Sequence, residues 1–223
     1  VRMRFKPVLT AGDGARKEVF EGIDSHKATT NCNIFYFLQD KIKTHFVEKC
    51  DSTSFHALPC TMIPLEVVVR RSAPSRSSYL KRHPQIKVGA IFKDPIVEFF
   101  YKDDAMGDPL VYTGEEGRGS WLLFDPAKPP IEGREIGSIA PHLSDDEVAA
   151  VKGMARWTFE VLEEAFAKQG LTLHDIKVEF GKYYRYGGYL IILADTITPD
   201  EMRLTKKGEA LDKDVFRAGG DPK

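Results

Sequence analysis

"DIKVEFGKYYRYGGYLIILAD", Asp175 to Asp195, alternates charged and apolar side chains before turning at a glycine pair into an apolar run. Side chains two apart in a strand project together. Asp175, Lys177 and Glu179 therefore share one face, and Ile176, Val178 and Phe180 the other. The run from Tyr189 to Ala194 is apolar and β-branched enough to be the returning strand of a hairpin. A three-residue loop of Tyr186, Gly187 and Gly188, with glycine supplying the positive φ, sets Arg185 opposite Tyr189 and Glu179 opposite Asp195. Opposed Cβ atoms lie roughly 4.5–5.5 Å apart, and like charges there oppose the pairing. A hard divalent cation such as Mg²⁺, which takes one or two carboxylates plus phosphate oxygens and water, would neutralise them. The other reading is a solvated face on which Lys177 screens its neighbours, since a one-residue slip would turn Asp195 away.

The rest of the chain bounds what such a face serves. The 223 residues carry 32 basic and 33 acidic side chains, which gives no electrostatic argument for a nucleic-acid or membrane partner. A small-molecule ligand is expected. No apolar run reaches the roughly 18–20 residues of a membrane span, and no secretory leader pattern opens the sequence, so a cytoplasmic protein is expected. Cys32, Cys50 and Cys60 lack CxxC spacing and read as reduced thiols; the six histidines show no HExxH pattern.

Apolar spacing predicts a helix from about Thr30 to Ile42, capped by Thr29, Thr30 or Asn31. A second helix follows a capping box, Ser144 to Glu147, buries Val148, Val151, Ala155, Thr158, Leu162 and Ala165, and closes at Gly170. "MIPLEVVVRR", Met62 to Arg71, is strand-like, with Pro64 marking a strand start or a hinge. Thr113 to Pro141, with five glycines and four prolines, reads as an irregular excursion. Strands and helices without regular βαβ spacing point to an α+β fold.

Four further clusters carry polar residues. "TAGDGAR", Thr10 to Arg16, presents Asp13 on a tight glycine turn but is neither a Walker A loop nor GxGxxG. "EVVVRRSAPSRSSYLKRHP", Glu66 to Pro84, mixes arginines and serines of a kind that suits a phosphate monoester, or forms a solvated basic loop. "FFYKDDAMGDP", Phe99 to Pro109, ends an aromatic strand in Lys102 and three aspartates, for which a turn is the simpler reading. "DTITPDEMRL", Asp195 to Leu204, delivers Arg203 after a proline turn. Carboxylates for a divalent metal, cations for phosphate and no nucleophilic Ser-His or Cys-His pair fit nucleotide-dependent phosphoryl transfer.

The blocks "TAGDGARKEVFEG", "MIPLEVVVRR", "SYLKR", "FFYKDDAMGDP", "DIKVEFG" and "ADTITPDEMRL", in this order from Thr10 to a terminal "LDKDVFR", resemble the SAICAR synthetase family. The resemblance implies a two-part α+β fold, an N-terminal nucleotide-binding sheet unit over 1–64 and a larger catalytic unit over 65–223, with ATP in the cleft between them. It implies an ATP- and Mg²⁺-dependent ligase joining L-aspartate to the carboxylate of carboxyaminoimidazole ribonucleotide (CAIR) in purine biosynthesis, and leaves a homo-oligomer open. By the same resemblance Glu179 and Asp195 are metal-linked, Glu179 also belongs to the nucleotide site, and Lys102 and Lys177 contact phosphates. Asp175 and Asp13 are active-site acids, Arg70, Ser78 and Arg203 cradle the ribonucleotide, and Met62 lies in the hinge that meets adenine.

Some features depart from the pattern. Family members carry a GKxK hairpin that covers the ATP phosphates, upstream of where Val1 stands here. The spacing from Arg70 to Ser78 is two residues longer than usual, so Ser77 and Arg76 are alternatives to Ser78. Thr196 replaces a frequent glutamate, and Thr205 a frequent tryptophan. A ligase for another amino acid or acceptor acid, or a nucleotide-binding protein without ligase activity, therefore remain alternative readings.

Overall fold

The computed structural model describes residues 1–11, 16–103, 105, 107–112, 122–124 and 143–217. Its largest sheet is organised by the alternating stretch. β10 (Thr172–Arg185) lies between β6 (Thr61–Ala73) and β12 (Met202–Lys206), antiparallel to both. β7 (Ala90–Tyr101), β8 (Leu110–Tyr112) and β9 (Leu122–Phe124) extend the sheet beyond β6. β13 (Glu209–Ala210) extends it beyond β12, and β11 (Gly188–Ala194) pairs with the far end of β10. A smaller sheet has the order β1 (Arg2–Arg4), β5 (Ser54–Ala57), β4 (Phe46–Asp51), and β2 (Val8–Ala11) pairs with β3 (Arg16–Val19). α1 (Ile23–Leu38) packs on β4 and β5, α2 (Ser78–Arg82) follows β6, and α4 (Asp214–Arg217) meets β2. No helix among the described residues is long and apolar enough to cross a membrane. Helices and antiparallel sheets in this arrangement make an α+β fold, as the sequence suggests.

One face of the large sheet is the core. Val67 and Val69 of β6, Ile176, Val178 and Phe180 of β10, and Val151, Ala155, Phe159 and Leu162 of α3 (Asp145–Ala167) form one buried cluster. α3 starts at the expected capping box. Ser144 Oγ accepts from Glu147 N at 3.2 Å, and Glu147 Oε2 accepts from Ser144 N at 2.8 Å. It ends before Gly170, whose φ of 69° is the left-handed conformation glycine adopts without steric cost.

Three expectations are corrected. The hairpin turns on two residues, Tyr186 and Gly187, so Arg185 pairs with Gly188 and Glu179 with Ala194. Gly187, at φ 83°, supplies the positive φ alone, and Asp195 falls one step past the ladder. The first helix begins at Ile23 after Gly22 and ends at Leu38. Its first turn is polar and partly exposed, and Lys27 Nζ, 2.6 Å from Asp200, ties it to the rest of the protein. Asn31 does not cap; its Oδ1 accepts from the amide of Ile197 at 2.8 Å inside the protein. Pro64, expected at a strand start or hinge, is not at the strand start: it sits within β6 where the β6–β10 register shifts between Glu179 and Gly181.

At that irregularity β10 comes close to the start of β6. A Cβ on Gly181 would stand 2.5 Å from Cys60 Sγ and 3.0 Å from its Cβ. Gly181→Ala is therefore expected to destabilise the fold by about 1–3 kcal/mol, the usual cost of overpacking. Adding Cys60→Ala, which removes the nearest atom, should restore most of the loss in urea unfolding; equal stability of Gly181→Ala and parent would contradict the close approach.

Candidate active site

The second face of β10 carries its charges between neighbouring strands that are also charged. Glu179 is directly opposite Glu66 of β6, with Lys177 two residues away. Lys177 Nζ reaches Glu66 Oε1 at 3.0 Å and Glu179 Oε1 at 2.8 Å. From the end of β7, Lys102 Nζ donates to both oxygens of Glu179, at 2.7 and 2.6 Å. Its place is fixed by its own amide, which donates to Pro64 O at 3.0 Å. Glu179 is only 2% exposed, whereas the Lys102 side chain is 43% exposed, so the ammonium forms the solvent side of the cluster.

The titration of these groups follows from that geometry. Burial works against the Lys177 ammonium, but Glu179 and Glu66 outweigh it and hold the pKa above the ordinary lysine range. Burial alone would raise Glu179; Lys177 and Lys102 overcome it and bring the pKa down. Asp195 is different. Burial first, and Glu179 beside it second, push its pKa up to about 6. Its φ of 57° lies in the left-handed region, uncommon for a residue with a Cβ though tolerated best by Asn and Asp, and there its carboxyl comes within hydrogen-bonding reach of Glu179. The off-register turn thus still brings the two acids together.

Among the described residues no group of three or more His, Cys, Asp or Glu side chains forms a metal cage. The Glu179–Asp195 pair nonetheless suits Mg²⁺, which uses few protein carboxylates and takes its other ligands from water and phosphate. Burial and the neighbouring Glu179 disfavour charge on Asp195, and a cation between the two carboxylates would relieve the same repulsion.

Four residues along the strand, a second cluster is built on Asp175, which pairs with Arg70 on one side and Arg203 on the other. Its Oδ2 accepts from Arg70 Nη1 and Arg203 Nη1, both at 2.7 Å. Arg70 also donates through Nε to Glu98 at 2.7 Å, and its outer edge faces Ser77 Oγ at 3.5 Å and Ser78 Oγ at 3.3 Å. The structure thus gathers Arg70, Ser78, Arg203 and Asp175 at one end of the strand, and Lys102, Lys177, Glu179 and Asp195 at the other. Both Ser77 and Ser78 touch Arg70, while Arg76 contributes its carbonyl to Arg203 Nη2 at 3.3 Å. Met62, 39% exposed, pairs with Gly181 near the start of β6. Asp13 and Asp104 lie outside the described residues. Asp103 and Asp108 are engaged in a turn: Asp108 Oδ1 accepts from Asp103 N at 2.9 Å, and Asp103 Oδ1 from Ala105 N at 3.0 Å.

Sequence reading missed Glu66 and Glu98 as members of these clusters. Alternation with Leu65 and Val67 around Glu66, and with Val97 and Phe99 around Glu98, was the available signal, because an acid between inward apolar residues must point to the opposite face.

The SAICAR synthetase family model matches residues 1–221. This chain belongs to the SAICAR synthetase family. It is similar to the phosphoribosylaminoimidazole-succinocarboxamide synthase of Pyrobaculum aerophilum, with 37% identity over 98% of this chain and 82% of the relative. The SAICAR synthetase of Pyrococcus horikoshii OT3 has a similar structure, with a TM-score of 0.80 at 31% identity over 99% of this chain and 87% of that one. A type-2 SAICAR synthetase solved in complex with ADP has a TM-score of 0.80 at 32% identity, over 99% and 84% of the two chains.

For this SAICAR synthetase family member, the raised Asp195 pKa has a sign that can be tested. Between its unfolded value, near 3.8, and about 6 the folded state holds more protons than the unfolded state, so stability falls as pH rises through that window. Without divalent cation, Asp195→Asn should be more stable than the parent at pH 8, on the order of 1–3 kcal/mol, and the advantage should shrink toward pH 4. Thermal melts in EDTA measure this, and a variant less stable than the parent at pH 8 would rule out the repulsive pair.

Proposed function

We infer that the protein is an ATP-dependent ligase that joins L-aspartate to the carboxylate of CAIR, releasing ADP and phosphate. The observation that supports this reading most is the divided polar face of β10, set in a chain that matches the SAICAR synthetase family over nearly its whole length. ATP lies between the unit at 1–64 and that at 65–223, with Met62 near the adenine and β6 running through the boundary. The solvent-facing ammonium of Lys102, with Lys177 behind it, draws the phosphates to the Glu179 end.

At the Asp175 end, the guanidinium groups of Arg70, Arg82 and Arg203 alternate with the carboxylates of Glu98 and Asp175. The forked guanidinium donors of Arg70 and Arg203 and the Ser78 hydroxyl suit the ribonucleotide phosphate. Asp175 orients Arg70 and Arg203 from behind. So placed, a carboxylate oxygen of the acceptor attacks the γ-phosphorus and ADP leaves; the amine of aspartate then attacks the acyl carbon and phosphate leaves. Mg²⁺ held by Glu179 and Asp195 would offset charge on the phosphate oxygens. Positioning by Arg70, Arg203, Lys102 and Lys177 supplies this chain's own contribution.

Ser75 and Arg76 are exposed, while Ser77 is buried and Ser78 remains on Arg70. The test is ADP release by the full natural chain with CAIR and aspartate, run beside a panel of other amino acids and imidazole acids. Release with CAIR and aspartate alone is expected. Preference for another pair would move the protein to a different substrate, and no release with any pair would remove the ligase reading.

A further inference from the structure

The arginine cluster is a chain of alternating charges that extends beyond the residues assigned above. Arg203 and Arg70 share Asp175, Arg70 and Arg82 share Glu98, and each Glu98 oxygen serves one guanidinium: Oε2 accepts from Arg70 Nε at 2.7 Å and Oε1 from Arg82 Nη2. Glu98 is on β7, opposite Val68 and therefore diagonal to Arg70. It is 8% exposed and Arg70 3%.

We propose that Glu98 is the positioning residue of the ribonucleotide's phosphate subsite, clamping Arg70 and the Ser78–Arg82 helix to each other. This rests on the reading of Arg70 and Ser78 given above. Two constraints lead to it. Arg70 has its Nε edge on Glu98 and its Nη1 on Asp175, so only the outer edge, beside Ser78, is left for a ligand. Ser78 begins α2 and Arg82 ends it, so the carboxylate that fixes the cation also fixes the helix that presents the hydroxyl. Arg82 is held by little else that would do this. Its guanidinium lies 5.2 Å over the Phe100 ring, and its buried Nε has no hydrogen-bond partner among the described residues.

Charge and geometry make opposite demands on a variant at this position. Glu98→Gln removes a negative charge beside the subsite, so a purely electrostatic role would tighten binding of a phosphate-bearing acceptor. A positioning role weakens it, because one guanidinium then faces an amide NH2 in place of its acceptor and the other keeps only a neutral one, so the two arginines are no longer clamped together. The expected result is a KM for CAIR raised about tenfold or more, with the KM for ATP within about twofold of the parent. An unchanged or lower CAIR KM in a folded Glu98→Gln protein overturns the proposal. If that variant does not fold, Arg82→Lys keeps the charge but loses the fork, and a CAIR KM raised several-fold is expected; no change overturns the proposal. Arg70→Lys is measured alongside. If it leaves the CAIR KM unaltered, the subsite reading falls and this inference with it, whereas a rise with Arg70→Lys but none with Glu98→Gln removes the role of Glu98 alone.

Discussion

Asp175 is a carboxylate with almost no solvent contact, accepting two guanidinium groups on one oxygen from the strands on either side. An unpaired charge at such depth costs several kcal/mol, so β6, β10 and β12 must lie side by side in a register that brings Arg70 and Arg203 to it. The core on the reverse face follows from the same register. With Asp175 turned to the polar side, Ile176, Val178 and Phe180 turn to α3, and a slip of one residue would bury the charges among leucines and valines.

The strand that carries this constraint also sets the scale of the site. Asp175 and Glu179 are four residues apart on one face, roughly 13 Å at about 3.3 Å per residue. Guanidinium groups stand at one end and ammonium groups at the other, separated by a distance suited to two phosphate-bearing substrates whose reacting groups meet between them. The chemical difference between the ends has a physical basis. Arginine forks are held on two edges around Asp175, while the Lys102 ammonium, paired with Glu179, is partly solvated.

Much of this was legible in the sequence. The alternation in "DIKVEF" set both faces of the central strand, and the capping box at Ser144 set the start of the helix that covers the core. The hairpin register was off by one because a tyrosine-glycine pair closes the turn and no local signal separates two-residue from three-residue loops there. Asp195 lies beside Glu179 although it falls one step past the ladder, with a left-handed backbone that periodicity does not report. The first helix began earlier than its apolar spacing indicates, since a tertiary ion pair of Lys27 with Asp200, which periodicity does not report, holds its polar first turn. Glu98 escaped notice because its partners, Arg70 and Arg82, are 28 and 16 residues away and meet it only across the sheet.

The central claim is that one strand face brings an acceptor carboxylate and the terminal phosphate of ATP into direct reaction. Isotope transfer tests it most directly: CAIR labelled with ¹⁸O in both carboxylate oxygens is converted with ATP and aspartate, and the released phosphate is analysed by mass spectrometry. Transfer of a single ¹⁸O to each phosphate, with the other retained in the amide, is the expected result; phosphate free of label would contradict the account.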